Sequence, residues 1–163
     1  MTDPVLQMVC GKIAAGKSTL SRRLSAAPNT VLLIEDEWLS ALFGDQMQTP
    51  ADFLRCSTRL RRVIGAHVAS LLAEGVSVVL DFQANTLESR AWLRQLITAS
   101  DAAHQLHVLA PPDEVCLARL KARNAAGTHP FAVSEAQFHQ ISRHFVLPTA
   151  EEGFNLVWHG AED

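Results

Sequence analysis

Residues 11–18 of the chain read Gly11-Lys12-Ile13-Ala14-Ala15-Gly16-Lys17-Ser18. This stretch matches the pattern G-x-x-x-x-G-K-[ST] at every defined position, after an apolar run at 5–10 and before a helical pattern that starts at Lys17. In a strand–loop–helix context, glycines let the backbone approach a phosphate, so that successive N–H groups and the helix N-terminus point at one anion. The stretch therefore predicts a loop that binds a nucleoside triphosphate, rather than a glycine-rich turn with a surface lysine.

The predicted nucleotide contacts are the loop and the residue after it. They are Gly11, Lys12, Ala14, Ala15, Gly16, Lys17, Ser18 and Thr19. Lys17 supplies a charge to the β- and γ-phosphates, which also makes it a candidate catalytic residue, and the Ser18 hydroxyl is a candidate ligand for Mg²⁺. Asp81 closes an apolar strand at 76–80, where its carboxylate can hold Mg²⁺ opposite Ser18, directly or through water. The alternative is that Asp81 only caps the following turn.

Apolar strand-like runs alternate with helical patterns along the whole chain. Strands are predicted at 5–10, 31–34, 76–80, 106–109 and 154–158, and helices at 17–26, 53–75, 85–99, 113–124 and 134–144. Because the strands are almost continuously apolar, they are typical of a parallel sheet that is covered on both faces. Asn85 followed by Glu88, and Ser134 followed by Gln137, predict the starts of two helices. The predicted fold class is α/β.

Length, charge and composition exclude several classes of function. The chain has 163 residues and a formal net charge of −3, which predicts one domain over 1–163 and argues against a general nucleic-acid coat. Lysine occurs only at 12, 17 and 121, so the [NT]-K-x-D motif with which GTPases bind guanine is absent, and the length leaves no room for the further motifs of AAA+ or ABC engines. No apolar run could cross a bilayer, the N-terminus lacks a basic signal region, and the three cysteines are scattered. A cytoplasmic location without a membrane partner is therefore expected.

Three features together resemble the small P-loop kinases. They are the loop 11–18, the acidic turn Glu35-Asp36-Glu37, and the stretch Leu80-Asp81-Phe82-Gln83-Ala84-Asn85-Thr86 with Arg90. These kinases include zeta-toxin-like proteins, polynucleotide kinases, gluconate and shikimate kinases and chloramphenicol phosphotransferase. The sequence is most similar to the branch of zeta toxins and polynucleotide kinases, whose members are often called AAA family ATPases without an assigned substrate. The resemblance implies a three-layer sandwich with a five-stranded parallel sheet in the order 2-3-1-4-5, and a small arginine-bearing lid at about 119–133.

The resemblance also implies a catalytic role for Asp36. In that branch an aspartate just after the second strand orients the acceptor hydroxyl or accepts its proton, and Asp36 is the matching residue. Glu35 and Glu37 flank it, so either is an alternative base, and a solvated acidic helix start is the non-catalytic alternative. Relatives often carry an arginine three residues after the aspartate, where this chain has Leu39. This departure argues against an identical acceptor-side phosphate contact and against a nucleic-acid 5′ end as substrate.

Arg119 and Arg123 are four residues apart and share one face of a predicted helix. The resemblance implies that arginines at this place close over ATP and stabilise the transferring phosphoryl group. Both are therefore candidate catalytic and nucleotide-binding residues. The alternative is that they are cations near a helix C-terminus, where their positive charge interacts favourably with the helix dipole.

Candidate acceptor-binding residues lie in and beyond the predicted long helix. Arg55 and Arg59, together with Arg62, form one stripe that would suit an anionic acceptor, and a solvated stripe fits the same pattern. Asn85 either contacts the substrate or caps a helix. Arg90 matches the resemblance, with a surface helix position as its alternative.

The sequence as a whole predicts an ATP- and Mg²⁺-dependent phosphotransferase that acts on a hydroxyl of a small metabolite, nucleotide sugar or antibiotic. The first alternative is a regulatory or toxin-type nucleotide-binding module that serves a protein partner, for which the sequence gives no specific indication. The second alternative is a polynucleotide 5′-kinase. The acceptor and the oligomeric state are left open.

Overall fold

Strands and helices alternate in residues 3–127 and 132–160, the part of the chain that the structure, a computed structural model, describes. The strands are β1 (Val5–Cys10), β2 (Thr30–Ile34), β3 (Ser77–Asp81), β4 (Ala103–Leu109) and β5 (Leu156–His159). The helices are α1 (Lys17–Ser25), α2 (Glu35–Phe43), α3 (Pro50–Ala73), α4 (Leu87–Ser100), α5 (Asp113–Ala126) and α6 (Glu135–Ser142). None of these helices combines the length and the apolar character needed to span a membrane.

The five strands form one parallel sheet in the order β2-β3-β1-β4-β5. On the central strand, Met8 is in register with Leu80 of β3 and with Leu106 of β4. The predicted α/β class and strand order are therefore confirmed. Because parallel strands end at the same edge of a sheet, the segments that follow β1, β2 and β3 come together at one edge.

Two apolar clusters cover the two faces of the sheet, because successive strand residues point to opposite faces. On one face, Met8 belongs to a buried cluster with Ile64 of α3 and Leu93 of α4. On the other face, Val9 belongs to a second buried cluster with Leu120 of α5 and with residues of α1 and α6. These two helical layers complete the three-layer sandwich.

Reciprocal capping boxes begin α3, α4 and α6. The predicted start of α6, with Ser134 as its N-cap, is confirmed. The prediction that Asn85 and Glu88 begin α4 is wrong, because Thr86 occupies the N-cap and its hydroxyl accepts a hydrogen bond from the Ser89 N–H at 3.1 Å. The N-cap thus lies one residue later than expected, and the Asn85 side chain is available for other contacts.

The two helices on either side of the predicted lid end at residues other than those predicted from the sequence. Helix α5 continues to Ala126, two residues beyond its predicted end, and Gly127 ends it with φ +64°. Helix α6 ends at Ser142, two residues earlier than predicted. Of the lid predicted at about 119–133, the first part is therefore the C-terminal half of α5, and residues 128–131 lie outside the described residues.

Candidate active site

The loop between β1 and α1 requires glycine at two positions. A Cβ atom at Gly11 would lie 2.8 Å from the carbonyl oxygen of Leu109, which is too close for any other residue type without a backbone shift. Gly16 precedes α1 with φ +105°, a left-handed conformation that glycine adopts without steric cost. The two glycines of the sequence pattern therefore allow the loop to turn tightly beside β4 and to enter α1.

The Asn85 side chain fixes the start of this loop. Its Oδ1 accepts a hydrogen bond from the Gly11 N–H at 3.0 Å, and its Nδ2 donates to the Gly11 carbonyl at 2.8 Å. The Asn85 carbonyl in turn accepts a hydrogen bond from the Val146 N–H at 2.8 Å. Asn85 thus joins the turn after β3 to the loop after β1, which the sequence interpretation as a helix cap had missed.

Lys17 is partly buried and lies against the loop. Its ammonium donates hydrogen bonds to the carbonyl oxygens of Gly11 at 2.6 Å and Lys12 at 2.9 Å. Burial lowers the pKa of this ammonium, and the charges of the Asp81 and Asp36 carboxylates oppose the shift. The lysine is therefore positioned between the loop and two carboxylates.

Asp81 ends β3, and its carboxylate faces the same region. Burial raises the pKa of Asp81, the positive charge of Lys17 lowers it, and the negative charge of Asp36 raises it further. Ser18, in the first turn of α1, lines the same cavity as Asp81. Because a hydroxyl and a carboxylate are oxygen ligands of the kind that Mg²⁺ prefers, these two side chains fit a magnesium ion.

Glu35, the first residue of α2, is buried and holds three elements together. Its Oε2 accepts hydrogen bonds from the Ser57 hydroxyl at 3.1 Å and from Arg61 Nε at 3.3 Å. Its Oε1 accepts a hydrogen bond from the Gln83 N–H at 3.2 Å. Burial raises the pKa of Glu35, and the charge of Arg61 opposes the shift. Glu35 therefore connects the start of α2 to α3 and to the turn after β3.

The other two acidic residues of this turn have different surroundings. Glu37 is exposed, and its Oε1 lies 3.3 Å from Nη2 of Arg22 on α1. Asp36 is partly buried and lines the cavity, where its charge acts on the pKa values of Lys17 and Asp81. Of the three, Asp36 is the carboxylate whose charge acts on the ammonium of Lys17.

Arg119 and Arg123 reach the same region from α5. Arg119 Nη1 donates a hydrogen bond to the Ala15 carbonyl at 3.1 Å, so this guanidinium rests on the loop. The Nε of Arg123 is buried, and no hydrogen-bond partner for it lies among the described residues. Burial lowers the pKa of Arg123, and the Asp36 carboxylate opposes the shift. The structure thus brings both predicted arginines together with the loop and Asp36.

These groups line one cavity of about 1080 Å³ at the carboxyl edge of the sheet. Its loop side is lined by Lys12, Ala14, Gly16, Lys17, Ser18, Thr19, Arg119 and Arg123. Its α2–α3 side is lined by Arg22, Ile34, Glu35, Asp36, Glu37, Pro50, Phe53 and Gln83. Asp81 and Asn85 also line the cavity, whereas Gly11 and Ala15 shape the loop from behind it. The two sides follow from the strand order, because β2 and β3 lie on one side of β1 and β4 lies on the other.

The predicted arginine stripe on α3 lies elsewhere. Arg55 and Arg59 are exposed and are not among the residues that line the cavity, and Arg55 forms an ion pair at 2.9 Å within the first turns of its own helix. Phe53, an aromatic residue near these arginines in the sequence, does line it, and so does Arg22, which the sequence interpretation did not include. Arg22 follows Ser18 by four residues and therefore shares its face of α1, which is a pattern that could have indicated it.

Arg90 is fully buried, so the alternative that it is a surface helix residue is wrong. Its Nε donates to Glu152 Oε1 at 2.7 Å, and its Nη1 donates to the Ala84 carbonyl at 2.8 Å. Arg90 therefore supports the turn after β3 directly beside Asn85. This role depends on a partner 62 residues away in sequence, which no local pattern indicates.

The model of the AAA domain family AAA_33 matches residues 6–148. The match spans the loop, Asp36, Asp81 and both arginines of α5. The chain belongs to this family. No curated protein matches the sequence.

Solved structures share the fold of this AAA domain. A protein from Chloroflexus aurantiacus that is provisionally called a kinase is 22% identical, with a TM-score of 0.74 and coverage of 98% of this chain and 86% of that chain. A sugar kinase from Janibacter sp. HTCC2649 is 14% identical, with a TM-score of 0.68, and the match covers 98% of this chain and 87% of the sugar kinase chain. A chain of the Pnkp1/Rnl/Hen1 RNA repair complex is 22% identical, with a TM-score of 0.65 and coverage of 88% and 44%. At these identities the likeness establishes the P-loop fold alone.

Proposed function

We propose that this AAA domain protein transfers the γ-phosphate of ATP to a hydroxyl group of a small molecule, with Mg²⁺ as cofactor. The observation that carries the proposal is that Lys17, Asp36, Asp81 and Arg123 line one cavity beside a phosphate-binding loop. The cavity volume of about 1080 Å³ is sufficient for a nucleotide together with a small acceptor.

The loop side of the cavity is suited to the triphosphate. The N–H groups of the loop and the Lys17 ammonium would bind the phosphate oxygens, with Lys17 exchanging its bonds to loop carbonyls for bonds to phosphate. The buried Arg123 Nε is a donor that a phosphate oxygen would satisfy. Ser18 and Asp81 would hold Mg²⁺, which supplies charge neutralisation to the phosphates when it is bound.

The α2–α3 side is suited to the acceptor, and we assign Asp36 as the residue that orients the acceptor hydroxyl. The acceptor oxygen forms a bond to the γ-phosphorus, the bond to the β–γ bridging oxygen breaks, and ADP leaves. The hydroxyl proton passes to the Asp36 carboxylate. Glu35 is less suited to this role because it already accepts three hydrogen bonds, and Glu37 because it is paired with Arg22.

A phosphate-transfer screen tests this proposal. The purified protein is incubated with Mg²⁺, γ-³²P-labelled ATP and pools of metabolites, nucleosides, antibiotics and oligonucleotides, and any labelled product is identified. For that acceptor, Asp36→Asn is expected to lower kcat by about 10²–10⁴-fold, the usual contribution of a general base. Asp45→Asn, an exposed carboxylate after α2, should leave kcat unchanged. Full transfer by Asp36→Asn would show that another group receives the proton.

A polynucleotide 5′-kinase is the second candidate, because the chain resembles part of an RNA repair complex. Leu39, at the position where relatives often carry an arginine, is fully buried in the core and does not line the cavity. A nucleic-acid substrate would therefore need a different phosphate contact. Such an enzyme would bind oligonucleotides in a salt-dependent manner, and failure to bind them at low salt would exclude it.

A further inference from the structure

Helix α5 contacts the loop between β1 and α1 at two places. At the first residue of the helix, the Asp113 carboxylate accepts a hydrogen bond from the Lys12 ammonium at 2.9 Å. Further along the helix, Arg119 donates to the Ala15 carbonyl at 3.1 Å. Lys12 and Ala15 are the two ends of one turn of the loop, because the Ala15 N–H donates to the Lys12 carbonyl at 3.1 Å. Helix α5 therefore contacts this turn at both ends.

The Lys12 ammonium also reaches the segment that follows α6. It lies 5.7 Å from the centroid of the Phe145 ring, within the range of a cation–π interaction. Only 27% of the Lys12 side chain and 44% of the Asp113 side chain are exposed, so solvent screens this ion pair less than it screens a fully exposed one. Lys12 thus joins the loop to the start of α5 and to the residues after α6.

The position of α5 determines where its two arginines lie. Arg119 and Arg123 follow Asp113 by six and ten residues, so at the helical rise they lie about 9 Å and about 15 Å along the axis from it. A small rotation of the helix about its first turn would therefore displace Arg123 more than Arg119. The buried Nε of Arg123 is the donor that we propose for a phosphate oxygen. Holding α5 at Asp113 would keep that donor in place.

The two lysines of the loop differ in what their ammonium groups contact. Lys17 donates to the carbonyl oxygens of Gly11 and Lys12, which belong to the loop itself, so it can exchange these bonds for a phosphate without releasing another element. Lys12 would have to leave Asp113 and Phe145 before its ammonium could bind a phosphate. The contacts of the Lys12 side chain therefore favour a role in positioning α5 over direct contact with the nucleotide.

We propose that Lys12 and Asp113 are positioning residues, whose ion pair holds α5 so that Arg123 can contact the γ-phosphate of the bound nucleotide. The Lys12 N–H would still bind phosphate together with the other N–H groups of the loop, while its ammonium fixes the helix. The inference rests on the proposed function and adds two residues that act through Arg123.

The affinities for two nucleotides test the proposal without an acceptor. Isothermal titration gives the Kd for Mg·ADP and for Mg·AMPPNP, and the ratio of the first to the second reports on contacts with the γ-phosphate. The ratio is expected to exceed one in the wild type and to fall by about three- to fivefold in Asp113→Asn, a modest loss because the pair is partly exposed. If Lys12 instead bound phosphate directly, Asp113→Asn would release it and raise the ratio. An unchanged or raised ratio would overturn the inference, as would equal affinities in the wild type.

Matched variants separate the ion pair from the general effect of a charge at the start of α5. Glu114→Gln removes an exposed carboxylate from the same first turn and should leave the ratio unchanged, and Asp113→Glu keeps the charge and should stay within about twofold of the wild type. An equal fall in Glu114→Gln would assign the effect to the helix dipole and overturn the inference.

A double-mutant cycle tests whether the two residues act as a unit. Lys12→Met should lower the ratio as much as Asp113→Asn does, and the double variant should lower it no further, because either substitution already removes the pair. Lys12→Met also provides the test if Asp113→Asn destabilises α5. Losses that multiply in the double variant would show that the two residues act independently, contrary to the inference.

Transfer kinetics distinguish this inference from the proposed function. With an identified acceptor, Asp113→Asn should lower kcat by about tenfold and leave the KM for the acceptor unchanged, because a displaced arginine stabilises the transferring group less well. An unchanged kcat would overturn the inference. Wild-type protein that binds Mg·AMPPNP but phosphorylates no hydroxyl would contradict the proposed function, while the ratio of nucleotide affinities would still decide the role of the pair. Failure of the wild type to bind either nucleotide would contradict both.

Discussion

On the loop side of the cavity, the groups that we propose bind the nucleotide come from one stretch of the chain, within residues 12–19, and from two arginines of one helix. On the α2–α3 side, the position of Asp36 depends on Glu35, which bonds to α3 and to the turn after β3. The first side is therefore specified mainly by local sequence, and the second by contacts between distant segments. We therefore expect substitutions on the loop side to affect nucleotide binding, and substitutions on the α2–α3 side to affect phosphate transfer without weakening nucleotide binding.

The largest expected effect is on the loop side. Lys17→Met removes the charge that we propose neutralises the β- and γ-phosphates, and it should lower kcat/KM for transfer by about 10²–10³-fold, as for other groups that stabilise transition-state charge. Steady-state kinetics with γ-³²P-labelled ATP measure this loss. Lys121→Met, on an exposed face of α5, is the matched control and should stay within about twofold of the wild type. If the Lys17→Met protein transferred phosphate normally, the loop lysine would have no role in the transfer.

On the α2–α3 side, Glu35→Gln should lower kcat by roughly tenfold and leave the Kd for Mg·ATP unchanged, because the neutral amide no longer pairs with Arg61 and the first turn of α2 loses its fixed position. The free energy of unfolding should fall by about 1–3 kcal/mol, as expected when a buried hydrogen-bonding group is replaced. Kinetics, nucleotide titration and urea unfolding measure the three quantities.

Glu74→Gln, an exposed glutamate at the end of α3, is the control for this change. A loss of stability with unchanged kcat would show that Glu35 supports the fold without positioning Asp36. A weaker affinity for Mg·ATP would show that the two sides of the cavity are not separable.

A smaller effect is expected at the contact that joins the turn after β3 to the loop. Asn85→Ala leaves the Gly11 N–H without its partner and the Gly11 carbonyl with only its bond from Lys17, so the Kd for Mg·ATP should rise by about three- to tenfold. Isothermal titration measures this change. Asn155→Ala, which removes a side-chain bond to the His104 carbonyl away from the cavity, should leave the Kd unchanged. An Asn85→Ala protein with wild-type affinity would mean that the loop keeps its conformation without the hydrogen bonds from Asn85.

The smallest effect is expected for the arginine stripe of α3. Arg55→Gln and Arg59→Gln should each change kcat/KM by less than about twofold, because both side chains are exposed and lie outside the cavity lining. Transfer assays with the identified acceptor measure this. A tenfold loss in either variant would extend the acceptor site beyond the α2–α3 side defined here.

The same comparison explains which parts of the molecule the sequence predicted. The loop pattern and the alternation of apolar strands with helices are local, and together with the resemblance they led to the observed strand order. The roles of Glu35, Asn85 and Arg90 depend on partners 22 to 74 residues away, so no local pattern contained them. Arg55 and Arg59 share one face of α3 beside its buried face, and their spacing alone could not distinguish a stripe that binds an acceptor from a solvated one.

Every part of the proposed function requires that the loop at 11–18 binds a nucleoside triphosphate with Mg²⁺ in the cavity beside Asp36. Isothermal titration of the folded protein with Mg·AMPPNP tests it most directly, with Gly16→Val, which strains the left-handed position at φ +105°, as the comparison. We expect saturable binding of one nucleotide per chain by the wild type and a loss of that binding in the folded variant. Wild-type protein that shows no saturable heat, or a variant that binds equally well, would contradict it.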